Sequence, residues 1–379
     1  MVESGTDVRM VEGLAERFEL EIVARRIREG VEISQEPASE VRIAVGPGSR
    51  VGFAAHVAKY LLRHRRAIDC VLVQGYGPAS LAANCAARIT RNPTFMLVCS
   101  PVEIYYRCRL GQPDPHKPFR RRELAALEVA ARLNARLGRH YVVLSEHLGE
   151  VVRRHGAKCP VSLIPLYGID TQLFAPPERP KVEYKARLGL PLGGDLIFFS
   201  SRVAPEKDSV TLLKAVRALR ARGRELWLLH RSGGYRDFLR EAKRHEIADR
   251  VIATDAVHPH RDLPNDYRAS DLCVQASRAE GLGFSPLEAL ASEVPVVATA
   301  VGGLRETVVD GQTGWSYPAG DEIALARCIE AATTDTAEAS RRARKGREMV
   351  IARFERRLVF DQFEALVNGT MMGTTDGTT

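Results

Sequence analysis

Two glutamates separated by seven residues, Glu280 and Glu288, enclose a Gly-Leu-Gly turn. Because this spacing exceeds two helical turns, the glycines and Pro286 predict that Glu280 lies in a loop and Glu288 in the first turn of a helix. The backbone amides of residues 283–285 would then point out of a helix N-terminus, which is a natural anion site. Carboxylates on either side can accept hydrogen bonds from sugar hydroxyls. The spacing therefore predicts a site for a ligand that carries phosphate.

The same residues have an alternative explanation that requires no ligand. Ser285, Pro286 and Glu288 also form a capping box, with Ser285 as the N-cap residue and Glu288 at the third helical position. The residues that follow favour a ligand site, because the apolar strand at residues 295–298 leads to a Gly-Gly pair at 302–303 and a second transition from loop to helix. We therefore expect two helix N-termini to face one cleft.

The stretch from Ala269 to Trp315 resembles the C-terminal half of retaining GT-B glycosyltransferases of the large family 4, the glycosyl transferases group 1. The family motif is an acid, seven residues, a second acid, an apolar strand and a Gly-Gly-hydrophobic-x-Glu turn. Glu293 departs from the family, which usually has glycine there, and this change weakens a left-handed helix cap. The matching residues of this chain are Glu280, Glu288, Val296-Val297, Gly302-Gly303 and Glu306.

Two cations, Arg202 and Lys207, follow an apolar strand at residues 196–200. By themselves they are consistent with ordinary solvated loop residues. Family members place an arginine and a lysine at this strand end, so the resemblance implies that both neutralise the diphosphate of a nucleotide sugar. It also implies that Glu280 orients the donor sugar and that Glu288 holds the ribose hydroxyls. The donor-binding residues assigned by resemblance are Gly5, Gly281, Leu282, Gly283, Phe284, Ser285 and Glu288.

The N-terminal half offers candidates on the acceptor side. Many family members carry a histidine after a central strand, whereas Cys99 and Ser100 follow the matching strand at residues 95–98. Either residue could occupy the space of the histidine, or Cys99 could be a small buried thiol. Glu103 and Tyr105 come next, in a segment whose aromatic and charged side chains would contact an acceptor or pack against one another.

The start of the chain also departs from the family. GT-B N-terminal domains ordinarily open with an apolar strand that leads into a glycine-rich loop, whereas residues 1–7 here already read as the loop, and a helix follows at once. We expect the usual first strand to be missing, through truncation or a start codon chosen too late. The loop at Gly5 would then be poorly anchored.

The alternation of strands and helices in both halves predicts an α/β protein with parallel sheets. The resemblance adds the GT-B arrangement, in which two Rossmann-like domains face a cleft and a C-terminal helix crosses back. The expected organisation is an acceptor-side domain at 1–176, a linker at 177–194, a nucleotide-sugar-binding domain at 195–340, the crossing helix at 341–370 and a disordered tail at 371–379.

Composition and motifs limit the kinds of partner that the protein can have. The net charge of +8 comes without any nucleic-acid-binding motif, so we expect no nucleic-acid partner, whereas the basic clusters at 63–66 and 117–122 predict peripheral contact with an anionic membrane. There is no signal peptide or membrane-length apolar run, and the seven cysteines include no Cys-x-x-Cys pair, which predicts a cytoplasmic protein at the inner face of the membrane. No Asp-x-Asp pair is present, so we expect neither a metal nor another cofactor.

The sequence thus predicts an enzyme that transfers a sugar from a nucleotide diphosphate sugar to a hydroxyl acceptor, such as a glycan, a lipid-linked sugar or a small molecule, with retention of configuration. Resemblance implies that the acceptor attacks on the face from which the phosphate departs. One alternative is a nucleotide-sugar epimerase on the same fold, which would need acid and base groups around the sugar. Another is a nucleotide-sugar-binding protein that has lost catalysis, in keeping with the expected loss of the first strand and the absent histidine.

Overall fold

A computed structural model describes residues 5–26, 41–110, 121–254 and 263–375 of the chain. Its described residues fall into two compact units. The first lies within Met1–Glu103, Phe119–Gly168 and Arg356–Thr379, and the second within Ile104–Pro118 and Ile169–Glu355. Both units alternate helices with parallel strands, so the predicted α/β class is confirmed.

The first unit contains two parallel sheets, with strand orders β1-β2 and β3-β4-β5-β6. Strand β4 is buried along its whole length and apolar after its first residue, Thr94, as expected for a strand covered on both faces. The strands are β1 (Glu21–Arg25), β2 (Arg42–Gly46), β3 (Val71–Gln74), β4 (Thr94–Val98), β5 (His140–Val143) and β6 (Val161–Leu163). The helices are α1 (Gly5–Ala15), α2 (Arg50–His64), α3 (Pro78–Thr90), α5 (Arg121–Leu137), α6 (Glu146–Arg154) and α15 (Arg356–Thr375), with α4 (Val102–Arg109) passing from the first unit to the second.

The start of the chain differs from the expectation at Gly5. Helix α1 begins at this residue, so Gly5 is helical and does not lie in the predicted loop. The difference arises because a glycine is tolerated at a helix end, so the helix that the apolar spacing predicts from Val8 starts three residues earlier. Residues 1–4 lie outside the described residues, and within the described part no strand precedes α1.

The second unit is built on one parallel sheet with the order β12-β11-β10-β7-β8-β9. The apolar face of helix α8 packs on this sheet through Leu212, Val216 and Leu219, all of which are buried. The strands are β7 (Asp195–Phe198), β8 (Leu226–Arg231), β9 (Val251–Thr254), β10 (Leu272–Gln275), β11 (Val296–Thr299) and β12 (Trp315–Tyr317). The helices are α7 (Lys181–Arg187), α8 (Ser209–Ala221), α9 (Tyr235–Arg244), α10 (Leu263–Ala269), α11 (Phe284–Ala291), α12 (Leu304–Thr307), α13 (Glu322–Thr334) and α14 (Thr336–Phe354), with short 3-10 turns at Pro205–Lys207 and Ala248–Arg250.

The division into units differs from the predicted boundaries. The N-terminal part of the first unit ends at Gly168, before the predicted Pro176. The segment predicted as a linker carries α7. This helix is fixed to the second unit because Lys181 and Lys185 each approach a different oxygen of Asp271, both at 2.8 Å. The charged composition that suggested a linker therefore serves long-range ion pairs.

The C-terminal helix also differs from the prediction. It is interrupted at Glu355, where α14 of the second unit ends, and α15 belongs to the first unit. Helix α15 continues through Thr375, so the tail predicted as disordered from Met371 is helical up to that residue. Low sequence complexity suggested a tail, but it does not prevent a helix from extending. The last four residues lie outside the described part.

Candidate active site

The carboxyl ends of β7, β8 and β10 meet at one edge of the second sheet, where ligands of open parallel sheets usually bind. A cavity of about 280 Å³ opens there. The predicted residues Arg202, Lys207 and Glu280 all lie on its wall. Its full lining is Ser200, Ser201, Arg202, Lys207, Ser232, Gln275, Glu280, Gly283, Phe284 and Ser285.

Glu280 lies at the centre of a hydrogen-bonded cluster. Its Oε2 atom lies 2.5 Å from Lys207 Nζ and accepts hydrogen bonds from Gln275 Nε2 and Ser277 Oγ, each at 3.1 Å. Its Oε1 atom accepts a hydrogen bond from the hydroxyl of Tyr105 at 3.3 Å. Burial and the neighbouring negative charge of Glu280 raise the pKa of Tyr105 well above its ordinary value, so Tyr105 remains a donor at neutral pH. The two predicted catalytic residues Lys207 and Glu280 are therefore in direct contact.

Arg202 shares a carboxylate with a second arginine. Arg109 forms a bidentate pair with Glu206, at 2.6 and 3.0 Å, and Arg202 Nη2 lies 3.4 Å from the same Glu206 Oε1. Burial would raise the pKa of Glu206, but the hydrogen bonds and charge of Arg109 hold it below its ordinary value. Arg202 remains 59% exposed and can reach an anion in the cavity.

Helix α11 starts at the cavity, but not as the capping box predicts. The N-cap residue is Gly283, with φ of +94°, and the helix begins at Phe284, so Ser285 lies inside the first turn and does not cap it. A backbone in this left-handed region favours glycine, which moves the helix start two residues upstream. The amides of residues 283–285 therefore lie at the helix N-terminus beside the cavity, as the ligand-site interpretation predicted.

The Gly-Gly turn at 302–303 packs directly on the Gly-Leu-Gly turn at 281–283. The amide of Gly303 donates to the carbonyl oxygen of Glu280 at 3.3 Å. A Cβ atom on Gly303 would lie only 2.2 Å from the carbonyl oxygen of Gly281 and 2.8 Å from Leu282 Cα. The two helix starts, α11 and α12, therefore lie side by side because residue 303 has no side chain.

Glu288 is buried behind the cavity wall. It is 4% exposed, and its Oε2 atom accepts a hydrogen bond from Tyr267 at 3.0 Å. The Tyr267 hydroxyl lies 3.1 Å from Ser200 Oγ, and burial followed by the charge of Glu288 raises the pKa of Tyr267 well above its ordinary value. Of the described residues that the resemblance assigned to donor binding in this segment, Gly281, Leu282 and Glu288 do not line the cavity.

Comparisons with known proteins identify the family of the chain. Residues 180–349 match the family described as glycosyl transferases group 1. The chain is 30% identical over 300 residues to the 2-deoxystreptamine glucosyltransferase of Streptomyces kanamyceticus, in an alignment that covers 77% of this chain and 75% of that protein. The chain belongs to the glycosyl transferases group 1.

Other glycosyl transferases group 1 relatives align over less of their length. The 2-deoxystreptamine N-acetyl-D-glucosaminyltransferase of Streptomyces fradiae is 32% identical over 246 residues, which are 63% of this chain and 58% of that protein. Alignments with this and five further curated relatives cover 36–60% of their lengths, so the chain spans about half the length of those proteins.

A solved structure shows the fold. Sucrose-phosphate synthase from Thermosynechococcus elongatus superimposes with a TM-score of 0.77 at 22% identity, over 96% of this chain and 92% of that chain. This glycosyl transferases group 1 chain therefore has the predicted GT-B fold.

The acceptor-side candidates Cys99, Ser100 and Glu103 lie in polar surroundings in the first unit, whereas Tyr105 belongs to the second unit. Cys99 Sγ accepts hydrogen bonds from the Tyr167 hydroxyl at 3.2 Å and from Gln74 Nε2 at 3.6 Å. Ser100 is half-buried in the following bend. Glu103 Oε1 lies 3.6 Å from His155 Nε2, and burial lowers the pKa of this imidazole although the charge of Glu103 opposes the shift. Cys99 is therefore half-buried and bound by two donors, whereas the alternative interpretation expected a small buried thiol.

Several partners of the predicted residues escaped the sequence analysis. None of these partners, Tyr267, Gln275, Ser277 and Glu206, belongs to a motif of its own. Tyr267 reaches Glu288 and Glu206 reaches Arg109 only in the folded chain, whereas Gln275 and Ser277 lie within five residues of Glu280. One available signal was Gln275, a polar residue at the end of an otherwise apolar strand. Within the described residues no group of three or more His, Cys, Asp or Glu side chains is placed to hold a metal ion, and no helix is long and apolar enough to cross a membrane.

Proposed function

We propose that this protein is a glycosyltransferase that transfers a sugar from a nucleotide diphosphate sugar to a hydroxyl acceptor with retention of configuration and without a metal. The observation that carries the proposal is the cavity of about 280 Å³, whose wall combines two cations, a carboxylate and a helix N-terminus. Cations and amides suit a diphosphate, and a carboxylate suits sugar hydroxyls. The membership of the chain in glycosyl transferases group 1 supports the same conclusion.

In this proposal Arg202, Lys207 and the amides at the start of α11 bind the diphosphate, and Glu280 orients the donor sugar. The bond between the anomeric carbon and the phosphate oxygen breaks, and the acceptor oxygen bonds to that carbon on the same face. The departing phosphate oxygen takes the acceptor proton, and the cations neutralise the charge that develops on the leaving group. The ammonium group of Lys207 must then either turn away from Glu280 or contact Glu280 and the phosphate together.

Glu288 would hold the ribose hydroxyls of the donor. Its burial against Tyr267 supports a fixed carboxylate orientation, and a ribose hydroxyl would reach it only if the cavity wall moved aside. The Asp-x-Asp pair through which many other glycosyltransferases bind a metal is absent from the sequence, which supports a metal-independent reaction.

The relatives suggest the acceptor class. Two of them are named for 2-deoxystreptamine and others for inositol phosphate, which are polyhydroxylated rings. We therefore propose that the acceptor is a hydroxyl of a sugar or cyclitol ring. The basic cluster at 63–66 supports a cytoplasmic protein that contacts an anionic membrane peripherally.

The first test is a panel of UDP-, GDP-, ADP- and dTDP-sugars, scored by thermal shift and by release of the nucleoside diphosphate, with and without EDTA. We expect one nucleotide to stabilise the protein and its sugar donor to be consumed in both conditions.

Lys207→Met should lower turnover about 100-fold, because a charge that stabilises the leaving group is lost. The matched control is Lys214→Met, since Lys214 is half-exposed on α8 and forms only a 4.0 Å surface pair with Glu322.

Three results would overturn the proposal. Turnover that EDTA abolishes would show that a metal is required. Conversion of the donor sugar to its epimer without release of nucleotide would favour the epimerase alternative. Full turnover in Lys207→Met would remove the proposed role of the cation.

A further inference from the structure

A chain of hydrogen bonds runs along the wall of the cavity and ends at Glu280. Ser201 Oγ donates to Gln275 Oε1 at 2.8 Å. Gln275 Nε2 donates to Ser277 Oγ at 2.7 Å and to Glu280 Oε2 at 3.1 Å, and Ser277 Oγ donates to the same Glu280 oxygen. Gln275 and Ser277 are 1% and 0% exposed.

The orientation of the Gln275 amide is determined by its partners. A serine hydroxyl can donate or accept, but the Glu280 carboxylate can only accept, so the amide nitrogen of Gln275 must face Glu280. The second amide hydrogen then faces Ser277, and the amide oxygen faces the Ser201 hydroxyl, which donates to it. A polar side chain this deeply buried is costly unless its hydrogen bonds are satisfied. Strand β10 is otherwise apolar, so packing alone does not explain a glutamine at its last position.

The two oxygens of Glu280 are bound unequally. Within the described residues, Lys207, Gln275 and Ser277 all bind Oε2, whereas Oε1 accepts only the longer bond from Tyr105. Oε1 is therefore the oxygen with acceptor capacity left for a ligand in the cavity.

We propose that Gln275 is a positioning residue that, together with Ser277, holds the Glu280 carboxylate so that Oε1 meets a hydroxyl of the donor sugar. This inference rests on the proposed glycosyltransferase function. It predicts a residue that matters for the sugar half of the donor and not for the diphosphate half. Because Gln275 acts through Glu280, its effect depends on that carboxylate.

The test uses the full-length protein and measures two quantities for each variant: turnover of the donor found by the panel, and affinity for the matching nucleoside diphosphate alone. Gln275→Met keeps the length of the side chain but removes both N–H donors. We expect its kcat to fall roughly 10- to 30-fold, as when one donor to a reacting centre is lost, while nucleoside diphosphate affinity changes less than about twofold. Ser277→Ala, which removes one donor and little volume, should show the same split at about fivefold.

Two controls separate positioning from damage to the fold. Val274→Ala perturbs the neighbouring position of β10, where Val274 packs into the hydrophobic core, and should lower stability without lowering kcat. In a Glu280→Ala background, Gln275→Met should have no further effect on residual turnover, because the carboxylate through which it acts has been removed.

The outcomes distinguish this inference from the function on which it rests. Equal turnover of Gln275→Met and wild type, or additive effects in the Glu280→Ala background, overturns the positioning role and leaves the transferase standing. Parallel losses of kcat and nucleoside diphosphate affinity also overturn it, since they indicate general disruption of the site. A wild-type protein that releases no nucleotide from any donor overturns the proposed function and this inference together.

Discussion

At the residue scale, the acids and cations of the site were visible in the sequence, whereas the groups that hold them were not. Glu280 and Lys207 stand out through charge and spacing in loops, but Tyr105 meets Glu280 from 175 residues away. Tyr267 meets Glu288 only when α10 and α11 assemble, and Gln275, although only five residues from Glu280, has ordinary neighbours in the sequence. Spacing identifies residue types suited to chemistry, and their orientation depends on long-range contacts that a single sequence does not contain.

Tyr267 provides a test of this division. Tyr267→Phe preserves the ring, which packs edge-on against Phe198 with centroids 5.0 Å apart, and removes only the hydroxyl that donates to Glu288. Loss of a hydrogen bond to a buried carboxylate should weaken nucleoside diphosphate binding about tenfold, because Glu288 loses a fixed orientation. Isothermal titration measures this change.

Tyr317→Phe is the matched control. Tyr317 is also buried in the second unit, and its hydroxyl makes no hydrogen bond within the described residues. Removal of a hydroxyl without a partner should leave binding unchanged. Equal affinities of the two variants would contradict a role for Tyr267 in orienting Glu288.

At the element scale, the strands and helix starts of the second unit followed from apolar runs and glycines, but the capping box did not form. Ser285 satisfies the sequence pattern of an N-cap, yet Gly283 takes that position because its left-handed backbone allows the turn. Glu293 keeps the left-handed conformation that the family's glycine would adopt, with φ of +53°. Local pattern therefore gave the element and missed its first residue.

The contact between the two glycine turns can be tested at Gly303. This residue has φ of −68°, so alanine has no conformational penalty, but its Cβ would overlap the backbone of Gly281 and Leu282. Because backbone atoms cannot rotate away, Gly303→Ala should separate the turns, abolish nucleoside diphosphate binding and lower the unfolding free energy by about 1–3 kcal/mol.

Gly193→Ala serves as the control for Gly303→Ala. A Cβ atom at Gly193 would meet nothing within 4 Å, and the residue lies in the same unit. We expect it to bind nucleotide like the wild type in a thermal-shift titration. Normal binding in Gly303→Ala would show that the turns can move apart without loss of the site.

At the scale of the whole molecule, the sequence predicted two domains, but the chain crosses between its units more often than the sequence suggests. Residues 104–109 of α4 belong to the second unit through Tyr105 and Arg109, and α15 returns to the first. The resemblance implied the return of the C-terminal helix, but the crossing of α4 could not be predicted, since an amphipathic helix shows which face is buried but not against which sheet. Unit membership is therefore a property of the contacts and not of the order of segments.

Helix α15 allows the independence of the two units to be tested. Phe363 of this helix is 3% exposed and packs edge-on against Phe18 and Phe95, with centroids 6.0 and 5.8 Å apart, and all three belong to the first unit. Phe363→Ala should destabilise this unit by about 3–5 kcal/mol, because the cavity left by a buried ring is only partly filled.

In calorimetry, a nucleoside diphosphate should raise the transition temperature of the second unit alone, since ligand binding stabilises the part that binds it. Phe363→Ala is expected to lower the other transition, and Leu219→Ala, in the core of the second unit, to lower the one that the nucleotide raises. A single transition that moves equally in both variants would mean that the two units unfold as one cooperative body.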